Sequence, residues 1–256
     1  VSPAPSRAVI LLFDIDGTLL LSGGAGRRAM NRLFEARYGV KNAFHGIRPH
    51  GMTDPAIFRE IILNTLSRDP APGELDALCN AYLDYLAQEI DGSKSFTIMP
   101  GVTDLLPRLS ASDRLRLGLA TGNLAFASRL KLRRAGLDRY FSFGGFGSDA
   151  EDRAELTRIA RDRGRDQAGD PRAPVVVVGD TVQDVRAARA VGARSLAVMT
   201  TGTSRATFEI EGADLVTEDL ADHEAILAFL GIDESDLGQA EGCWEEKKEK
   251  KKRKGG

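Results

Sequence analysis

The sequence predicts an α/β fold: a doubly wound, Rossmann-like parallel sheet with an all-α cap subdomain inserted after its first strand. Three observations carry this. Short runs rich in Val, Ile and Leu alternate with helical patterns along the chain. One run, VVVV at 175–178, shows no polar alternation, as expected of a strand covered on both faces. Residues 22–98 then break the rhythm with helical patterns alone, over a length far beyond a simple crossover connection.

The first strand is expected at 9–13 and stops on Asp14-Ile15-Asp16-Gly17-Thr18. Two carboxylates so close raise each other's pKa and cost stability unless a cation or hydrogen bonds offset them. The pair is therefore either a solvated turn or a site. SGGAG (22–26) leads into helices expected at 24–38, 54–66 and 74–90, with no strand among them, and DGSKSFTIMPG (91–101) leads back. Asp54 followed by Pro55 reads as an N-cap and first helical residue. Beyond the insert come a helix at 101–110, a strand at 115–120 and a helix at 124–135. A strand at 141–146, a helix at 152–164, the strand at 175–178 and a helix at 181–191 follow, then a strand at 194–198 and a helix at 222–230. The expected division is a catalytic core of residues 1–21 and 99–233, a helical cap of 22–98, and a disordered basic tail of 234–256. Within it, residues 240–256 have almost no apolar residue to dock except Trp244.

Composition narrows the function. The chain has 256 residues, 42% hydrophobic and 28% charged, with a net charge of −2. Residues 245–254, EEKKEKKKRK, carry seven basic and three acidic groups, +4, which leaves −6 on the rest and argues against nucleic-acid binding. Two cysteines, Cys79 and Cys243, exclude a disulfide framework and a Cys-rich zinc site and suit a reducing compartment. No apolar stretch nears the roughly 20 residues of a membrane helix, and the opening VSPAPSRAVILLFD lacks a signal-peptide layout. A cytoplasmic monomer or homodimer with no membrane partner is expected.

In a parallel α/β sheet, functional groups gather where strands end and helices begin. Four such places here are polar together: Asp14 to Thr18 after the first strand, Thr121-Gly122-Asn123 after the second, Arg153 in the helix after the third, and Asp180 with Asp184 after the fourth. FDIDGTLL (13–20), LATGN (119–123), GDTVQDV (179–185) and MPGVTDLLPRL (99–109) closely resemble the haloacid dehalogenase-like hydrolase superfamily, in its branch with a helical cap after the first strand. The resemblance spans about residues 8–230. The family's third motif is usually a lysine, and Arg153 in EDRAEL stands in its place.

The resemblance implies a phosphatase, phosphoglycolate phosphatase-like in layout, acting on a small phosphorylated metabolite. Asp14 would be the nucleophile, giving an aspartyl-phosphate, and Asp16 the general acid and base. The side chains of Asp14 and Asp180 with the Asp16 carbonyl would hold Mg²⁺, and Asp184 would ligate it or support it. Thr121 and the amides of Gly122 and Asn123, at a helix N-terminus, would hold the phosphoryl oxygens. Arg153 would supply a fixed cation, with Arg158 or Lys131 as substitutes. A sugar-phosphate phosphomutase shares these motifs, whereas a dehalogenase would lack Asp16. A phosphonate hydrolase would need a cap lysine, and Lys41 looks exposed. The aspartates also suggest a receiver module, but the length and the cap reject it. In the cap, Arg48, His50 and Thr53 are candidate pocket residues; His45 and His223 have no assigned role, and Cys79 is expected in the core.

Overall fold

The run VILLF forms β1 (Val9–Phe13), buried at every position. It lies at the sheet centre between β4 (Leu115–Thr121) and β6 (Val175–Gly179). Beyond β4 lies β5 (Phe143–Phe146); beyond β6 lie β7 (Arg194–Val198) and β8 (Leu215–Thr217). Every pairing in the order β5-β4-β1-β6-β7-β8 is parallel. Phe13 pairs with both Leu119 and Val178, so the residues just past these positions meet at one edge. This computed structural model describes residues 8–233, 236 and 237.

Coverage of both faces explains the unbroken apolar runs. Val9, Leu11, Phe13, Val176 and Val178 join one cluster with α4 (Val102–Ser110) and α9 (His223–Leu230). Ile10, Leu12, Val175 and Val177 join another with α6 (Arg153–Ala168) and α7 (Val182–Ala190). Alternate residues of a strand point to opposite faces, so a doubly covered strand must be apolar throughout.

The insert carries α1 (Ala25–Tyr38), α2 (Asp54–Leu66) and α3 (Glu74–Asp91). Met30, Phe34, Phe58, Ile61, Tyr82 and Leu86 fill a cluster that extends onto Leu124 and Ala127, at the start of α5 (Ala125–Ala135). The Arg134 guanidinium on α5 donates to the carbonyls of Ile90, Asp91 and Ser93, closing the C-terminal end of α3 from the sheet side.

Several elements depart from the sequence expectation. The insert is joined by a two-stranded antiparallel ribbon, β2 (Leu20–Leu21) with β3 (Thr97–Ile98), where the sequence predicts no strand between the first one and residue 98. Strand β8 and helix α8 (Arg205–Glu211) were also not anticipated. All are too short for a hydrophobic period to register, and α8 buries Phe208 while leaving Ile210 85% exposed. Thr53, not Asp54, is the N-cap of α2; its hydroxyl accepts from the Ala56 amide, and Asp54 is the first helical residue.

The core also reaches past 233 into the stretch expected to be disordered. Leu237 is buried in the main cluster, and Arg114 pairs with Asp236 at 2.5 Å. Cys243, Trp244 and the basic run 245–254 lie outside the described residues. Among those described, no helix is long and apolar enough to cross a membrane. Leu237→Ala should lower unfolding free energy by about 2 kcal/mol, the low end for a buried leucine near a chain end. Urea denaturation measures this, and a loss below about 0.5 kcal/mol would mean that the contact does not form in solution.

Candidate active site

Three of the strand-end carboxylates converge. Asp14 follows β1, Asp180 follows β6, and Asp184 stands in the first turn of α7; all are buried, with carboxylate oxygens within 4.8 Å of one another. Local structure fixes each one. The Thr181 hydroxyl and amide donate to Asp184 Oδ2 at 2.7 and 3.1 Å, one half of a capping box that starts α7. Asp180 accepts from Thr18 Oγ1 at 3.0 Å and from Thr201 Oγ1 at 2.7 Å. Gly17 has φ 89°, and a Cβ there would stand 2.4 Å from Asp180 Oδ2, so glycine alone suits this turn.

Arg153 answers the charge. Asp152 caps α6 by accepting from the Glu155 amide at 2.8 Å, which places Arg153 first in the helix. Its guanidinium lies 3.1 Å from Asp14 Oδ1, also bonds Asp184 Oδ1, and donates to the Ala120 carbonyl at 3.3 Å. Burial pushes the Asp14 carboxyl above the usual range; Arg153 opposes this, while Asp184 and Asp16 add to it. Asp180 is raised as well, by burial and then by repulsion from Asp14 and Asp184. Burial alone would lower Arg153, but Asp184 and Asp14 hold it protonated. Surplus negative charge on an all-oxygen donor set fits a hard divalent cation, so this cluster could hold a metal ion.

Asp16 points elsewhere. Its side chain is 40% exposed, and Oδ2 accepts from Lys131 Nζ at 2.5 Å and Asn123 Nδ2 at 2.7 Å. Lys131, on α5, is buried and also donates to Asn123 Oδ1 at 2.5 Å. It therefore completes the site beside Arg153 rather than replacing it. Lys131 follows Leu124, Ala127 and Ser128 on the buried face of α5, a lysine in an apolar stripe that helical spacing could have flagged. Arg158 faces away, paired with Glu155 and Asp162. Thr121 is buried, hydrogen-bonds Asp14 and accepts from Asn123 Nδ2 at 2.9 Å. The helix after Asn123 begins at Ala125, and its leading amides are already engaged. Leu124 N donates to Asp54 Oδ2 at 2.9 Å and Ala125 N to Ser148 Oγ at 3.2 Å. Thr18, Thr201 and Asp54 were missed. Thr201 follows a strand end, where sheet logic could have found it, but no sequence pattern links Asp54 to Leu124.

The segment before α2 docks on the Thr121-Gly122-Asn123 loop. Asp54 N donates to the Gly122 carbonyl at 2.8 Å, Thr53 Oγ1 to the Glu151 carbonyl at 3.0 Å, and Arg59 pairs with Glu151. A Cβ on Gly122 would lie 2.2 Å from the Met52 carbonyl oxygen, so only glycine allows this approach. A cavity of about 1020 Å³ lies between sheet edge and insert, reaching Asp14, Asp16, Arg153 and Asp180 on one side and His45, His50 and Tyr82 on the other. Arg48 lines a smaller hollow beside Gln183, and Thr53 serves as a cap; Lys41 is exposed as expected. Cys79 is half-buried against the insert's cluster.

Burial raises Asp54 from 3.8 to about 6, with Lys131 opposing the shift. The folded protein thus holds this proton more tightly, and stability present below about pH 4 is lost as pH rises through about 6. Asp54→Asn keeps an oxygen for Leu124 N and removes the titration. The fall in unfolding free energy between pH 4 and 7 should shrink by on the order of 2 kcal/mol. Identical pH dependence of the two proteins in urea titrations would contradict this.

The sequence has no significant match among proteins of curated function. Solved structures share the fold. A hydrolase from Pseudomonas syringae is 19% identical, covers 87% of this chain and 99% of its own, and superposes with a TM-score of 0.63. CbbY from Rhodobacter sphaeroides, solved in complex with phosphate, is 23% identical over 84% of this chain and 96% of its own, with a TM-score of 0.59. A Bacteroides vulgatus protein assigned as a β-phosphoglucomutase is 20% identical over 91% of each chain, with a TM-score of 0.63. The haloacid dehalogenase-like hydrolase family matches residues 9–192, a span that holds the three converging aspartates, both buried cations and the helical insert. The chain belongs to that family of hydrolases.

Proposed function

We propose that the protein is a Mg²⁺-dependent phosphatase that hydrolyses a small phosphomonoester through an aspartyl-phosphate. The observation that carries this reading is the division of labour between two neighbouring aspartates. Asp14 is buried and ion-paired to Arg153, while Asp16 faces the cavity on hydrogen bonds from Lys131 and Asn123. Asp14 attacks phosphorus, and Asp16 delivers a proton to the departing alkoxide and later takes one from the water that cleaves the acyl phosphate. Arg153 holds the nucleophile still and offsets the charge gathering around it. Thr121 and the Gly122 and Asn123 amides would hold the phosphoryl oxygens. Asp14, Asp180 and the Asp16 carbonyl would hold Mg²⁺, with Asp184 supporting through Arg153 and Thr181. When bound, that ion supplies the positive charge that lets a carboxylate approach a phosphate dianion.

Residues 22–98 would act as a cap that excludes water and selects the leaving group. Its docking on Gly122 and Glu151 supports that role. CbbY, of the same fold, has also been solved with xylulose-1,5-bisphosphate, which supports a phosphorylated metabolite as substrate here. A sugar-phosphate phosphomutase is the second reading, favoured by the likeness to the Bacteroides protein. It would transfer phosphate to a second hydroxyl instead of releasing it.

The test is a phosphate-release screen over phosphorylated metabolites with Mg²⁺. Asp14→Asn should reduce release by on the order of 10³-fold or more while leaving the protein folded. Substantial turnover by that variant would sink the mechanism, and isomerised product without free phosphate would establish the mutase. Arg153→Ala should lower kcat/KM by on the order of 10²-fold, and Arg153→Lys should retain more. An alanine variant within a few-fold of wild type would leave Lys131 as the cation that matters.

A further inference from the structure

Tyr82, on α3, is 1% exposed, and its ring packs edge-on against Phe58 with centroids 5.5 Å apart. Among the described residues its hydroxyl has no hydrogen-bond partner, although phenol groups this deeply buried usually find one. Nor is it one of the polar atoms sealed off without a partner, which are Arg114 Nε, Arg153 Nε, Thr217 Oγ1 and His223 Nε2. The little surface it keeps therefore opens on the cavity that Tyr82 lines. Gly26 preserves that opening, since a Cβ there would stand 3.1 Å from the hydroxyl. An unpaired phenol at this depth gains nothing for the fold, because phenylalanine would pack equally well.

Its position says what it faces. The phosphate end of the cavity is lined on the sheet side by Asp14, Asp180 and Arg153, whereas Tyr82 comes from the insert. The charges of Asp54 and Asp16 reach it and, after burial, push its pKa further up, so it remains a neutral donor. Asp16, the group assigned to the leaving oxygen, and Tyr82 line the same cavity from its sheet side and its insert side, so a leaving alcohol held there is bounded by both. Met30 and Ile57 give this part of the cavity apolar walls, and Tyr82, Asp54 and Lys131 give it polar corners. That mixture suits a hydroxylated carbon chain, with its C–H faces and O–H edges. We propose that Tyr82 is a specificity-determining residue whose hydroxyl donates to a second oxygen on the leaving alcohol, so that the preferred substrate is a polyol or sugar phosphomonoester.

This rests on the phosphatase reading, and the experiment separates the two. Phosphate release is measured for wild type, Tyr82→Phe and Asp14→Asn on a panel of polyol and sugar phosphates and on phenyl phosphate, whose leaving group has no second oxygen. The best hydroxylated substrate should lose about tenfold or more in kcat/KM relative to phenyl phosphate in Tyr82→Phe. The melting temperature of that variant should be no lower than that of wild type. A ratio that moves less than threefold, or a wild type that prefers phenyl phosphate, overturns the role of Tyr82 and leaves the phosphatase standing. A wild type with no Asp14-dependent release overturns both.

Discussion

Repulsion among Asp14, Asp180 and Asp184 is the constraint around which the rest of the site is arranged. Like charges at the 4.8 Å limit of this cluster repel by roughly 3–4 kcal/mol per pair at a dielectric suited to partly buried groups. A domain's whole stability is on the order of 5–15 kcal/mol, so three bare carboxylates at that range would use much of it. Arg153 offsets part of this by touching Asp14 and Asp184 together, a task that suits a planar guanidinium better than a point-charge ammonium. What it leaves uncompensated raises Asp14 and Asp180, and an added cation would relieve that excess.

The sheet topology creates the problem and makes it useful. With β1 between β4 and β6, and all three parallel, the residues following Phe13, Leu119 and Val178 emerge side by side. Each chain then turns directly into a loop or helix whose first polar groups face the same point. Thr181 and Asp184 begin α7, and Asp152 begins α6 just before Arg153. Helix initiation and site assembly thus use the same hydrogen bonds. Removing a cap residue here would disturb chemistry as well as stability.

The insert is tied to this edge from both ends. Asp54 engages the loop after β4 through its amide and its carboxylate, and Arg134 on α5 closes α3. Helix α5 also delivers Lys131 to Asp16, so one helix links the insert, the loop and that aspartate. The cavity is therefore bounded by parts whose relative positions are coupled through a few polar contacts and the shared apolar cluster of Leu124 and Ala127.

Much of this was determined by the sequence alone. Runs such as VILLF and VVVV admit little but doubly covered strands, and the polar residues that close such strands single out Asp14, Thr121 and Asp180. Arg153 was legible too, as a basic residue in the first turn after a strand. The tertiary structure alone decided what these groups touch. Lys131 reaches Asp16 across 115 positions of sequence, and Asp54 reaches Leu124 across 70. Tyr82 faces a cavity formed by separate segments. Local pattern reports on hydrogen bonds and burial a few residues away, because backbone geometry repeats over that range. Contacts between distant segments depend on how the packed elements close on one another, and no periodicity within either segment records that.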